Sequence, residues 1–181
     1  IRRMPYSEAM ELYGSDKPDI RFGLSMVEIT DIFQGTDFGV FKKTVEDGGA
    51  IKSIVLKGKT LSRKDLDTAV EITKEMGAGG LIWIRKDKDG LQSPIVKYLK
   101  DSEKASMIER LGLSDGDVVF IMADGRKKVN DIMGRFRLYL GEKFELIAKD
   151  QFRFLWIVDF PLFEYSDEDK RFVARHHPFT S

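Results

Sequence analysis

Residues 50–77 read AIKSIVLKGKTLSRKDLDTAVEITKEMG. The first seven, Ala50 to Leu56, are rich in β-branched and apolar side chains and predict a strand. The rest predicts a helix with a marked start. Ser62 is placed as N-cap, Asp65 stands three residues on, and Leu61 and Leu66 are spaced for a hydrophobic staple. Leu66, Ala69, Val70, Thr73 and Met76 then recur at helical spacing, and Gly77 closes the segment. A strand followed by a capped helix, with turn residues between, is the local unit from which the rest is read.

Working outward, Val40 to Val45 reads as a second strand, paired to Ala50–Leu56 through the turn Glu46-Asp47-Gly48-Gly49. Downstream, Leu81 to Ile84 is a strand and Asp87-Lys88-Asp89-Gly90 a turn. Ser93-Pro94 opens a short helix to Leu99, and a further helix runs from about Glu103 to Leu111, stopped by Gly112. Val118 to Ala123 is a strand. Val129, Ile132, Met133, Phe136 and Leu140 form the stripe of a longer helix that Gly141 interrupts or ends. Phe152 to Phe163 reads as one long strand, apolar on both faces and therefore suited to the inside of a large sheet, with Arg171 to Arg175 as another. Upstream, residues 2–13 read as a helix stopped by Gly14-Ser15-Asp16-Lys17-Pro18-Asp19. The expected fold is α+β: a two-layer module of mainly antiparallel sheet with helices over residues 31–128, flanked by segments 1–30 and 129–181 that are not complete by themselves.

Composition narrows the function. The 181 residues include no Cys, which excludes disulfides, cysteine zinc sites and thiol catalysis. Only 2 His are present, side by side, so a histidine-rich metal site is not expected. Lys+Arg and Asp+Glu are 30 each, which gives no global attraction to nucleic acid. The richest apolar run, Phe154 to Val158, is far shorter than a membrane helix, and no signal peptide is visible. The chain starts at Ile1 and stops at Ser181 without a loose polar tail, and both ends read as cuts through a larger protein.

Several motifs invite a functional reading and a plainer one. Gly48-Gly49, Gly79-Gly80 and Gly125 lack the strand–loop–helix spacing of a phosphate-binding loop, and turns explain them better. Arg126, Lys127, Lys128, Arg135 and Arg137, and separately Lys42, Lys43, Lys52, Lys57 and Lys59, could meet phosphates, but interleaved acids favour a solvated face. Asp159 and Glu164 flank a strand end without a fixed separation. Trp83 and Trp156 read as core. His176-His177-Pro178-Phe179 is the sharpest feature. Neighbouring side chains of an extended segment point to opposite faces, so one of the two histidines should dominate any one site.

The chain resembles the bacterial-type aspartyl-tRNA synthetase family. The resemblance rests on Tyr13-Gly14-Ser15-Asp16-Lys17-Pro18-Asp19-Ile20-Arg21-Phe22-Gly23, on Phe154-Leu155-Trp156-Ile157-Val158-Asp159-Phe160-Pro161-Leu162-Phe163-Glu164-Tyr165, and on His176-His177-Pro178-Phe179-Thr180-Ser181, in that order. It implies that residues 31–128 are the family's insertion domain, a module also found in tRNA-dependent amidotransferase subunits. It implies too that the flanks are pieces of a class II antiparallel catalytic domain. The activity implied is activation of L-aspartate with ATP and Mg2+ and transfer to the 3′ end of tRNA, by a cytoplasmic homodimer. Motif 2 would precede Ile1 and motif 3 would follow Ser181, so the isolated chain is expected to be inactive, with no catalytic, cofactor or metal residue of its own. His176 is implied to contact the bound aspartate, with His177 as the less certain contributor. The rival readings are an amidotransferase subunit and a non-catalytic RNA-binding or interaction module.

Overall fold

A computed structural model of the chain describes residues 1–166 and 169–175. Five strands, β2 (Val27–Glu28), β3 (Ala50–Leu56), β4 (Ile82–Asp87), β5 (Gly90–Gln92) and β6 (Val118–Asp124), form one sheet in the order β2-β3-β6-β4-β5. Every neighbouring pair in it is antiparallel, and Ile54 of β3 lies opposite Phe120 of β6. Ala50 to Leu56 is thus the strand its composition predicts.

The helix beside it, α3 (Arg63–Glu75), is also as read. The Ser62 hydroxyl accepts from the Asp65 amide, and the Asp65 carboxylate accepts from the Ser62 amide, closing a capping box. The other main helices are α1 (Tyr6–Tyr13), α2 (Gly39–Glu46), α4 (Asp101–Leu111) and α5 (Arg126–Lys143). Gly112 ends α4 in the left-handed conformation.

The sequence predicts two layers, and the structure has three. Side chains of β3 and β6 are buried on both faces of the sheet. Ile54, Leu56, Val118, Phe120 and Met122 pack against Leu66 and Ala69 of α3 and against Val129, Met133, Phe136 and Leu140 of α5. Ile51, Val119 and Ile121 pack the opposite way, with Phe41 of α2 and Met107 and Leu111 of α4. A central strand apolar on both faces needs cover on both.

Val40 to Val45 is not a strand but most of α2. Its β-branched residues favour a strand locally, yet Phe41 and Thr44 fall one turn apart and are both buried. The Phe41 ring lies 4.5 Å from that of Phe33 and 4.9 Å from that of Phe38. Tertiary burial outweighs the propensity. Gly48-Gly49 accordingly ends a helix rather than turning a hairpin. Gly48, with φ 68°, donates to the Val45 carbonyl and Gly49 to that of Thr44, the two bonds of a Schellman motif.

Gly141 does not interrupt the long helix. It lies inside α5 because the Phe22 ring occupies the space where its Cβ would stand.

The flanks pair with each other. Strand β1 (Arg2–Pro5) runs parallel to β7 (Leu155–Val158), with Met4 opposite Ile157. A parallel pair requires a crossover, and here the crossover is the whole module. Strands β8 (Phe163–Ser166) and β9 (Arg171–Ala174) form a separate antiparallel hairpin. The single long strand expected over 152–163 is therefore two short ones, β7 and β8, separated by Asp159, whose φ of 58° breaks the extended run. Trp83 packs against the first core cluster, as expected. Trp156 is 61% exposed and Phe152 81% exposed, so Trp156 is not core. Its strand has one described neighbour, β1, and among the described residues no layer covers that face. Helix α5 runs unbroken across the expected boundary at residue 128.

Candidate functional site

A second stripe runs along α5 beside its apolar one: Asn130, Gly134, Arg137 and Gly141, at spacings of four, three and four, all buried. It faces α1 and the 14–24 segment, the block that carries much of the sequence resemblance. Two glycines make the approach possible. A Cβ on Gly14 would sit 2.0 Å from the Asn130 carbonyl oxygen, and one on Gly134 would sit 2.6 Å from that of Tyr13. Gly14 also holds φ 66°, the left-handed conformation that ends α1.

Arg137 is the pin of this arrangement. Its side chain is almost wholly buried. Nε donates to the Leu24 carbonyl (3.1 Å), and Nη2 to those of Asp19 (2.8 Å), Gly23 (3.0 Å) and Phe22 (3.2 Å). The guanidinium lies 4.0 Å over the Phe22 ring and 4.8 Å over that of Tyr13. Burial pulls it down to about 10, so it remains a cation at neutral pH. It holds Leu24, whose φ of 65° is costly for a branched side chain. The Asp19 carboxylate accepts from Arg21 Nη2 (2.7 Å) and Nε, which holds it below the ordinary carboxylate range.

An ionic seam joins the same surfaces. Lys52 of β3, fully buried, donates from Nζ to the Glu11 carboxylate (2.6 Å) and the Glu11 carbonyl (3.0 Å). Arg126 donates to Glu11 (3.1 Å) and through both terminal nitrogens to Glu28 (2.7 and 2.8 Å). Those bonds hold Glu28 below the usual carboxylate range and raise Arg126. The Thr30 hydroxyl donates to Glu28 (2.9 Å) and accepts from the Ile51 amide. Segment, sheet and α5 are thus tied by charges that neutralise one another.

Between α1 and the start of α5 opens a cleft of about 500 Å³, whose wall includes Tyr6, Arg126, Lys127, Asn130 and Arg175. The Arg175 guanidinium donates to Glu164 and stands 5.3 Å over the Tyr6 ring. Lys127 is 3.7 Å from the same carboxylate. The Asn130 amide oxygen is buried with no hydrogen-bond partner among the described residues. Polar groups of both charges converge here, since Asp131 also lines the cleft.

The candidates read from the sequence divide as follows. His176 and His177 lie outside the described residues, directly after Arg175. Glu164 is spent on Arg175 and Lys127, and no described contact joins it to Asp159. The cations of the first basic group do not form one patch: Lys42 and Lys43 lie on α2, Lys52 is buried, and Lys57 donates to the Gly112 carbonyl. In the second group Arg126, Lys128, Arg135 and Arg137 all have intramolecular partners. Gly125 caps α5 and cradles nothing described. Arg137, Gly14 and Gly134 do not stand out as a unit along the sequence. The signal for them is the spacing of Asn130, Gly134, Arg137 and Gly141, a helical face of small and polar residues that becomes meaningful once a partner backbone is known to lie on it.

Comparison with known proteins follows the same division. The chain is 50% identical over 180 residues to the aspartate–tRNA(Asp/Asn) ligase of Aquifex aeolicus (strain VF5), covering 99% of this chain and 30% of that protein. It is 46% identical over 180 residues to the aspartate–tRNA ligase of Shouchella clausii (strain KSM-K16), covering 98% and 31%. With the ligase of Clostridium botulinum (strain Eklund 17B / Type B) the identity is 48% over 183 residues, covering 100% and 31%. The chain therefore spans about 30% of the length of the curated relatives it matches. Residues 41–133, which hold the sheet from β3 to β6 with its covering helices and the first turns of α5, match the model of the GAD domain. The chain belongs to the GAD domain family.

Proposed function

We propose that this chain is part of an aspartate–tRNA ligase. The observation that carries the reading is identity of 46–50% over essentially the whole chain to proteins of that name, which takes in both flanks as well as the module. An amidotransferase subunit sharing only the module would not account for the flanks. In this reading residues 31–128 are an inserted module, and 1–30 and 129–181 belong to a class II catalytic domain that works as a cytoplasmic homodimer. The substrates are L-aspartate, ATP and tRNA. His176 contacts the aspartate, with His177 a lesser contributor.

The reaction is attack of the aspartate carboxylate on the α-phosphorus of ATP with release of pyrophosphate, followed by transfer of the aspartyl group to a hydroxyl at the 3′ end of tRNA with release of AMP. It needs placement and charge neutralisation more than a protein nucleophile. The part of this chain is positioning. Arg137 fixes the 19–24 segment through four carbonyls, and the Gly14–Gly134 contact locks α1 to α5.

The test is ATP–pyrophosphate exchange by the full-length protein that contains this chain. Exchange that depends on L-aspartate is expected. Exchange indifferent to aspartate, or glutamine-dependent amidation of a charged tRNA, would overturn the reading.

A further inference from the structure

Four of the main helices keep a cation in their last turn: Lys43 in α2, Lys74 in α3, Arg110 in α4 and Lys143 in α5. A helix ends in carbonyls without intrahelical partners and in a partial negative charge, which a cation there offsets. Helix α1 has no basic residue in its last turn. Its final carbonyls are served from elsewhere in the chain. The Leu12 carbonyl accepts from the Met26 amide (2.8 Å), and the Glu11 carbonyl accepts from Lys52 Nζ (3.0 Å).

Lys52 is out of place in its own strand. Side chains of β3 alternate between the two faces of the sheet, and Lys52 shares a face with Ile54 and Leu56, which pack with α3 and α5. Met122 stands opposite it on β6 and Glu28 on β2. A lysine is almost never wholly buried unless it is paired. This one is fully buried and directs its amine at α1, to the Glu11 carbonyl and to the Glu11 carboxylate at 2.6 Å. Lys52 lies inside the 41–133 stretch that matches the GAD domain, and Glu11 lies outside it. The module thus supplies the cation that α1 lacks.

The other end of α1 gives this contact its consequence. The helix has eight residues and is about 12 Å long. It follows β1 without a loop, and β1 pairs with β7. Tyr6, the first residue of α1, places its ring 5.3 Å from that of Phe160 and 5.3 Å beneath the Arg175 guanidinium. The Arg175 amide donates to the Leu162 carbonyl (2.9 Å). Arg175 directly precedes His176 in the sequence.

We propose that Lys52 is a positioning residue for the aspartate site, and that the inserted module serves as a brace for α1. A shift of α1 at its module end moves the ring on which Arg175 rests, and with it the end of the strand that leads to His176. The assignment rests on the ligase reading and on aspartate contact by His176, which lies outside the described residues.

The test is pyrophosphate exchange by the full-length protein that contains this chain, with aspartate and ATP varied in turn. It is run at a temperature where melting curves show every variant folded. Lys52→Met keeps an unbranched side chain and removes the donor. It should raise the Michaelis constant for aspartate about tenfold, with kcat and the Michaelis constant for ATP little changed. Glu11→Ala, at a partly exposed position, should act in the same sense, by about threefold. Adding it to Lys52→Met should bring no further loss, because both act through one contact. If Lys52→Met does not fold, Glu11→Ala alone decides. A lowered Tm with unchanged aspartate kinetics would make Lys52 structural only and overturn the proposal. Equal effects on aspartate and ATP, or effects that multiply in the double variant, would overturn it too. His176→Ala in the same assay separates the readings. Exchange indifferent to aspartate strikes the ligase reading, and indifference to His176→Ala strikes the role of His176. A response to His176→Ala without one to Lys52→Met or Glu11→Ala strikes the brace alone.

Discussion

Gly134→Ala sets two effects of known size against each other. In a helix interior, alanine is favoured over glycine by about 0.8–1 kcal/mol. At this position the new Cβ would stand 2.6 Å from the Tyr13 carbonyl oxygen and 3.1 Å from the Gly14 Cα. Both neighbours are backbone, and neither can swing aside as a side-chain tip can. To restore ordinary contact, the end of α1 must move by several tenths of an ångström. Gly14, already left-handed and pressed on the Asn130 carbonyl, blocks part of that motion. Overpacking of this kind costs about 1–3 kcal/mol. With both neighbours backbone, the cost falls in the upper part of that range, about 2–3 kcal/mol, and a net loss of about 1–2 kcal/mol is expected. For a chain of this size that is a fall in Tm of roughly 2–8 °C. Calorimetry of the 181-residue chain measures it, with hydrogen exchange over residues 15–25 as the local readout. An unchanged or raised Tm would show that α1 is not locked to α5 and would remove the main argument for the seam as a positioning device.

Other outcomes follow from the same contacts. Arg137→Met strips the partner from four carbonyls that depend on it and should cost about 3–5 kcal/mol, with faster amide exchange over 19–24 than elsewhere. Ser62→Ala removes the cap of α3 and should cost about 1 kcal/mol in a denaturant melt, with the fold retained. Asp19, Glu28, Asp31 and Asp65 are all held below their ordinary values by arginine, serine or lysine partners. Groups so depressed stabilise the fold above their unfolded pKa, about 4, and that contribution is lost as pH falls through the folded values. Stability should therefore be flat near neutrality and decline below about pH 4, and a decline beginning near pH 6 would contradict the assignment. In the full-length protein, His176→Ala should weaken aspartate use in pyrophosphate exchange by about ten- to a hundredfold, from loss of one hydrogen bond to a charged ligand, with His177→Ala milder. An unchanged Michaelis constant and rate for aspartate would end that role for His176.

What could be read from the sequence was local. Ala50–Leu56 and the Ser62 cap are legible because strand composition and capping chemistry act over a few residues. The same locality misleads at Val40–Val45, where β-branched residues suggest a strand and burial of Phe41 and Thr44 against distant rings makes a helix. The third layer is not legible in the sequence for a similar reason. An apolar run shows that a strand is buried but not how many faces are covered. Phe152–Phe163 shows the reverse: its apolar faces are real, yet Asp159 divides the segment and Trp156 has no described layer over it. Arg137 stands in a run of basic residues that reads as solvated surface. Its role depends on carbonyls more than 110 positions away, which no window along the chain brings together.

The glycine pair also bears on how the chain folds. Gly14 and Gly134 touch although about 120 residues lie between them, so their contact is the neck of a noose. Closing so long a loop from an unfolded chain carries an entropic penalty that grows with the logarithm of its length. A folded module shortens the effective loop, because β2 to β6 bring its two exits close before the neck tightens. The order of events is then fixed by topology: the sheet first, the neck afterwards. Substitutions at Gly14 or Gly134 should accelerate unfolding and leave the folding rate nearly untouched, since the neck is absent from the rate-limiting barrier.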